Sequence, residues 1–281
     1  MSNPIVAFQG EPGAYSQEAA QTHFGSQVQT LACESFQAIF EAIRSGQATN
    51  GILPVENALA GTVAQTYELL MEYDFRVQGE VILPIHHNLM VPPGTALEDI
   101  QRVRSHPQAL AQCAHYLRRR GWQPVASYDT AGAAQELAAN PVLHTAVLAS
   151  RLAAELYQLT ILESSVEDEP HNSTRFFVLG TEDIAPTPGE PTKTSLVFTF
   201  RDRAGALFGC LSAFAQHNIN LTKIESRPVR GRAWQYWFFL DFEGYWSEPA
   251  VEAALVELLR QATFVKILGS YPASNEGPKP A

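Results

Sequence analysis

The sequence predicts an α/β chain, with a bilobed and mostly parallel cleft domain followed by a smaller unit of order βαββαβ. Three observations carry that expectation. Apolar strand-like runs alternate with helix-period segments from residue 5 to about residue 162, and the connections are short. The alternation breaks once, where a strand at 77–83 runs straight into 86–91 without a helix, as expected of a chain crossing into a second lobe at about 85–165. A stretch with three prolines and a glycine at 182–191 then separates this region from a compact C-terminal pattern.

In order, Ile5-Val6-Ala7-Phe8 leads to a helix from Ser16, read as its N-cap, and 28–31 leads to a helix from Ser35. The run Ile52-Leu53-Pro54 leads to a helix from Thr62. After the crossing, βα units resume around Val103, Val125, Val147 and Ile161, and 176–179 is a strand that returns to the first lobe. Ser45-Gly46 and Arg120-Gly121 mark helix ends. Past the linker, strands at 194–200, 220–227, 234–241 and 264–268 and helices at 206–217 and 248–262 give the ferredoxin-like order. The expected division is a cleft domain at 1–181, a linker at 182–192, a βαββαβ domain at 193–271 and a disordered tail at 272–281.

Composition excludes several functions. A net charge of −10 over 281 residues argues against nucleic acid or an anionic membrane as partner, since both require a basic face. No lysine precedes Lys193, so Schiff-base chemistry is not available to the first two thirds of the chain, and no Walker-type loop is present. The neighbours His86 and His87 are read as strand residues on opposite faces, which argues against a metal pair; no metal is expected. Cys33, Cys113 and Cys210 form no CxxC pair and are odd in number, as expected of reduced thiols in a cytoplasmic protein. The N-terminus lacks a basic start and a sustained apolar core, so an unexported, soluble protein is expected.

Candidate chemistry gathers at strand mouths, where α/β proteins place ligands. Three loops each join a strand end to a helix start: one spans 9–16 and includes Gly13, Tyr15 and Ser16; one spans 54–62 and carries Glu56 and Asn57 ahead of Gly61 and Thr62; one is Ser105-His106-Pro107-Gln108, with Gln112 a turn later. Helix N-termini offer unpaired N–H groups to anions. A fourth cluster, Asn172-Ser173-Thr174-Arg175-Phe176, opens the 176–179 strand with an amide, a hydroxyl and a guanidinium. Their convergence predicts a cleft for a small anionic ligand. On a strand, Arg175 points away from the face of Thr174.

These segments, Glu11 to Ser16, Pro54-Val55-Glu56-Asn57, Ser105-His106-Pro107-Gln108 and Asn172 to Phe176, in this order and spacing, resemble prephenate dehydratase. The last domain, with Gly205-Ala206-Leu207 and Ile219 to Pro228, is similar to the ACT regulatory module of that family. Ala58 and Ala204 depart from the pattern, at positions where a small hydroxyl residue and a proline are usual. The resemblance implies a cleft domain with the fold of periplasmic binding proteins and cofactor-free conversion of prephenate to phenylpyruvate, with loss of water and carbon dioxide, in phenylalanine biosynthesis. It gives the catalytic positions as Thr174, Glu56, Asn57, Ser105 and Gln112, with Thr174 donating to the leaving oxygen. Gly13, Tyr15, Ser16, Gly61, Thr62, Asn172, Arg175 and Phe176 fall to substrate binding. The ACT resemblance implies L-phenylalanine at a subunit interface of a homodimer or tetramer, against Gly205, Ala206, Leu207, Asn218, Asn220, Leu221, Glu225, Ser226, Arg227 and Pro228. Glu56 has no settled role, because a carboxylate beside a dianion is repulsive unless protonated or turned to the backbone. Arogenate in place of prephenate stays open, as does a non-catalytic solute or amino-acid sensor.

Overall fold

The computed structural model describes residues 3–229, 231 and 234–274. Close contacts group the chain into two compact units, one of residues 1–72 and 81–176, the other of 73–80 and 177–281. Sequence order alone does not separate them.

The first unit begins with β1 (Ile5–Gln9), α1 (Tyr15–Phe24), β2 (Gln29–Cys33), α2 (Phe36–Arg44) and β3 (Asn50–Asn57), followed by the short β4 (Gly61–Thr62) and α3 (Ala64–Glu72). β1 pairs in parallel with β2 and β3, and its Val6-Ala7-Phe8 core is fully buried, the continuous apolar run of a strand covered on both faces. α2 starts where expected because Ser35 Oγ accepts from Ala38 N at 3.2 Å, and it buries Ile39, Phe40, Ala42 and Ile43. Two expected helix starts are corrected. α1 begins at Tyr15, with Ala14 in the cap position and Ser16 inside the helix, because Gln17 Oε1 reaches back to the Gly13 N–H at 2.6 Å. Thr62 belongs to β4, whose antiparallel pairing with Glu56 and Asn57 delays α3 to Ala64.

The chain continues through β5 (Arg76–Pro84) into β6 (Asn88–Val91), so His86 and His87 lie just ahead of the strand rather than in it. Then come β7 (Arg102–Ser105), α4 (Pro107–Gln112), α5 (Ala114–Arg120), β8 (Gln123–Ala126), α6 (Thr130–Ala139), β9 (Thr145–Ala149), α7 (Arg151–Tyr157) and β10 (Thr160–Glu163). Their sheet has the order β10-β6-β9-β7-β8. β7 is parallel to β8 and β9, whereas β6 is antiparallel to β9 and β10. Ile161 therefore closes this lobe on an antiparallel strand, not on another βα unit. Leu89, Val91, Val103, Leu117 and Leu148 fill its core. β11 (Ser173–Gly180) returns to the first sheet, ordered β2-β1-β3-β11-β5 with β4 on β3.

The second unit holds β12 (Thr192–Thr199), α8 (Ala206–Gln216), β13 (Leu221–Pro228), β14 (Tyr236–Glu243), α9 (Pro249–Gln261) and β15 (Phe264–Pro272) in an antiparallel sheet ordered β13-β14-β12-β15. Leu196, Phe198, Phe214, Leu240 and Leu258 form its core between sheet and helices. The segment 73–80 joins this unit through polar bonds: Lys193 Nζ to Glu80 Oε1 at 2.7 Å, Arg76 Nη1 to Ile267 O at 3.0 Å, and Lys266 Nζ to Tyr73 O at 2.8 Å. Residues 182–191 have no regular structure, yet Glu182 O accepts from Gln78 Nε2 and Ile184 O from Tyr245 Oη. The expected tail from 272 is corrected in its first residues, since Pro272 ends β15, Ala273 N donates to Pro191 O and Ser274 N to Glu80 Oε1. Its remainder from 275 lies outside the described residues.

Gly269 permits this packing. A Cβ there would collide with the Val77 carbonyl oxygen, a backbone atom that cannot swing aside. Gly269→Ala is expected to lower unfolding free energy by about 1–3 kcal/mol, the usual cost of overpacking. Gly209→Ala on α8, where the added methyl meets nothing nearer than Gln261 Oε1 at 3.4 Å, serves as the tolerated control. Equal denaturation midpoints for the two variants would contradict this account.

Candidate active site

The first loop is built for close approach. Gly13 has φ +91°, and a Cβ on it would sit 2.8 Å from Ala153 Cα. Ser150 caps α7 by accepting from Ala153 N at 3.0 Å and donates to Gly13 O at 2.5 Å, while Tyr157 Oη donates to Pro12 O at 2.7 Å. The 10–15 loop is thus fastened to the α7 helix of the second lobe. From its end Tyr15 reaches the crossing segment, with Oη 2.8 Å from both His86 O and His87 Nδ1. His87 Nε2 is in turn 2.8 Å from Gln112 Oε1. Burial pushes the His87 pKa down, against a smaller upward pull from the Gln112 hydrogen bond, so the ring is neutral at pH 7. Burial likewise holds the Tyr15 phenol well above its usual value. With Nε2–H on the Gln112 oxygen, Nδ1 carries the lone pair, and the single Tyr15 proton lies between two acceptors, Nδ1 and the His86 carbonyl. His86 turns the other way, to Glu167 Oε1 at 2.7 Å, and Glu167 Oε2 accepts the His87 N–H at 2.9 Å.

The second construction is centred on Asn57, the last residue of β3. Its Oδ1 accepts from Leu59 N at 3.1 Å and Ala60 N at 2.8 Å, an Asx turn that folds the 57–60 corner. Its Nδ2 faces Asn172 Oδ1 at 2.8 Å, Thr174 Oγ1 at 2.9 Å and Ser173 O at 3.1 Å, and Ala58 N donates to Ser173 O at 2.8 Å. Asn57, Asn172 and Thr174 are all buried. Because an amide nitrogen only donates, Thr174 Oγ1 is an acceptor in this contact and its own proton points elsewhere. Asn172 is 2 % exposed and its Nδ2 has no hydrogen-bond partner among the described residues. Leaving a buried donor unpaired costs about 1–3 kcal/mol, which a ligand oxygen would recover.

The other sequence candidates fall at varied depth. Ser105 is fully buried and donates to Leu148 O at 2.7 Å, so it braces β7 against β9 rather than presenting a free hydroxyl. Glu56, one residue before Asn57 on β3, faces the opposite side by strand alternation and pairs with Thr62 across β4. Arg175 alternates with the buried Thr174 and Phe176 on β11 and is half-exposed. Ser16 is buried in α1, and Gly61 sits with Thr62 on β4. Sequence reasoning missed His87, Ser150 and Tyr157. The polar His86-His87 pair interrupting an apolar run was the available signal for the first; nothing local marks the other two.

The second unit has its own cavity, of about 710 Å³, at the start of α8. Gly205, Ala206 and Leu207 line it as expected, together with Arg201, Arg203, Trp234, Tyr236 and Phe238, an aromatic and cationic wall the sequence reading did not include. Asn220 instead bonds Glu243 Oε1, and Glu225 forms ion pairs with Lys223 and Arg227 on β13, where Leu221, Ser226 and Pro228 also lie; Asn218 follows α8 with φ +56°.

A two-lobed α/β unit with a neutral amide and hydroxyl cluster at its strand ends, joined to a ferredoxin-like unit with a cavity of its own, defines the class as an enzyme carrying a ligand-binding accessory domain. The profile of prephenate dehydratase matches residues 6–184 and that of the ACT domain residues 194–260, so the chain belongs to the prephenate dehydratase family. It is 42 % identical over 287 residues to arogenate dehydratase 3, chloroplastic, of Arabidopsis thaliana, spanning 96 % of this chain and 68 % of that one. Among solved structures, prephenate dehydratase of Arthrobacter aurescens in complex with L-Phe aligns with TM-score 0.88 and 28 % identity over 98 % of this chain and 92 % of that one. GqqA, described as a novel type of quorum quenching acylase, aligns with TM-score 0.89 and 37 % identity over 96 % and 98 %.

The neutral His87 has a consequence in acid. Its folded pKa lies below the unfolded value of about 6.5, so its contribution to stability is fully present above about pH 6.5 and lost as pH falls through the depressed folded value. Urea unfolding of wild type should weaken more steeply below about pH 6.5 than that of His87→Gln; parallel curves would rule this out.

Proposed function

We propose that this chain is a carbon–oxygen lyase that dehydrates and decarboxylates prephenate to phenylpyruvate. The observation that carries the reading is the Asn57 cluster, which occupies the Thr174 oxygen as acceptor and leaves its proton to donate. As the ring hydroxyl departs with its bonding pair, the pair of the breaking C–C bond enters the ring, carbon dioxide leaves, and the oxygen takes up one proton to become water. Aromatisation drives the process, so the protein has to hold a dianion and stabilise charge on the departing oxygen. A hydroxyl hydrogen bond suits that role better than full proton transfer from so weak an acid.

In this reading Asn57 fixes Thr174, and Gln112, oriented by His87, presents its amide N–H groups to the substrate. The loop around Gly13 and Tyr15 closes one side. Ser105 shapes the floor through Leu148, Glu56 supports the β3–β4 corner, and Arg175 supports the strand mouth. The proposal takes the enzyme as a cytoplasmic homodimer or tetramer. Arogenate is the second reading, favoured by the 42 % identity to an arogenate dehydratase; comparing kcat/KM on the two substrates decides it.

For the accessory domain, L-phenylalanine is the proposed effector, taken up by the cavity at the start of α8, with aromatic side chains for the ring and arginines for the carboxylate. The L-Phe complex of the Arthrobacter relative supports this.

Thr174→Ala should keep the fold and lower kcat about 10²–10³-fold, as when one transition-state donor is removed. Phenylpyruvate absorbance in alkali reads this, and near wild-type turnover would remove Thr174 from the mechanism. Titration with L-phenylalanine should reduce activity with a coupling of about 1–3 kcal/mol. A flat response would count against the effector assignment.

A further inference from the structure

The amide geometry around Asn57 fixes which atom of Asn172 is left over. Asn57 Oδ1 accepts from two backbone N–H groups, at Leu59 and Ala60, and neither can act as an acceptor, so this oxygen cannot trade places with Nδ2. Nδ2 of Asn57 therefore faces Asn172, and the atom it meets at 2.8 Å has to be the Asn172 oxygen. What remains is the Asn172 amide nitrogen with two protons, in a side chain 2 % exposed, unpaired among the described residues. Its neighbour in this cluster is Thr174, whose oxygen shares the Asn57 nitrogen with it at 2.9 Å. The Asn172 amide and the Thr174 hydroxyl are thus held through a single group, Asn57 Nδ2, which lies 2.8 Å from the oxygen of the one and 2.9 Å from the oxygen of the other. An amide cannot give up its proton at neutral pH, so it can only stabilise charge.

Resting on the dehydratase reading above, we propose that Asn172 is a catalytic residue whose Nδ2 donates a second hydrogen bond to the departing hydroxyl oxygen, beside Thr174. The C–O bond breaks with its electron pair on that oxygen, which is where the two donors meet rising negative charge; the proton that completes water comes from solvent or through the Thr174 hydroxyl, and Asn172 keeps both of its own. A donor whose hydrogen bond strengthens as charge develops acts on kcat more than on KM.

Asn172→Asp separates this role from a structural one. The substitution keeps an oxygen toward Asn57 and replaces the donor with a carboxylate oxygen. We expect wild-type far-ultraviolet circular dichroism, a kcat about 100-fold lower at pH 7.5 and a smaller change in KM. Activity of Asn172→Asp should then recover as pH is lowered, because the protonated carboxyl offers an O–H where the amide N–H was. His171, Glu56 and Arg175, the ionisable residues next to this cluster in sequence, are the same in wild type, so an acid-side rise that wild type lacks belongs to the introduced carboxyl. A kcat within threefold of wild type, or a pH profile parallel to it, overturns the proposal. If Asn172→Asp does not fold, Asn172→Ala should lower kcat at least about 10-fold with the smaller effect on KM, and an unchanged kcat there overturns the proposal equally. A wild-type protein inactive on both prephenate and arogenate overturns the dehydratase reading and this one with it; an active wild type with indifferent Asn172 variants overturns this one alone.

Discussion

The side chain of Asn57 is the constraint on which the strand-end cluster depends. Its carbonyl folds the corner that ends β3, and its amide nitrogen gathers three acceptors from the 172–174 segment. Each bond contributes about 1 kcal/mol net, but the larger figure is the penalty of removing their shared partner, which would strand several buried groups at once. A hydroxyl at the neighbouring position 58, where the family usually has one, is not needed for this arrangement; Ala58 takes part through its backbone N–H alone.

A second cluster is held by a chain of uncharged groups, Tyr15, His87 and Gln112, with the Glu167 carboxylate turned to His86 and a backbone N–H. Burial explains both halves. It disfavours a charged ring at His87 and a phenolate at Tyr15, and it demands that the Glu167 carboxylate be bonded at both oxygens. Fixed neutral dipoles of this sort are oriented before a ligand arrives, so little reorganisation is needed when charge develops.

Much of the fold was legible because periodicity and caps are local. The β1 core and the start of α2 at Ser35 follow from their own residues. Misses arose where a partner distant in sequence, or a competing local bond, overruled the propensity. Ser16 looks like an N-cap, but Gln17 satisfies the loop amide first; Thr62 looks like a helix start, but pairing with Glu56 claims it. For the site, the family resemblance named Asn57, Gln112 and Thr174, which the structure finds in hydrogen-bonded clusters, whereas the Ser105 bond to Leu148 and the fastening of Gly13 by Ser150 depend on contacts across 43 and 137 positions. Nothing in a linear pattern encodes them.

β5 and β11 each pass from one compact unit into the other; the first half of β5 is bonded to Lys193 and Ile267, and Tyr73 just ahead of it to Lys266. Cutting at the proline-rich stretch would therefore not release two self-sufficient modules. It would strip 73–80 of the groups that cover it and expose a buried carboxylate, Glu80, without its lysine. Exchanging the C-terminal half for another would therefore also require a matching segment at 73–80, in the middle of the N-terminal half.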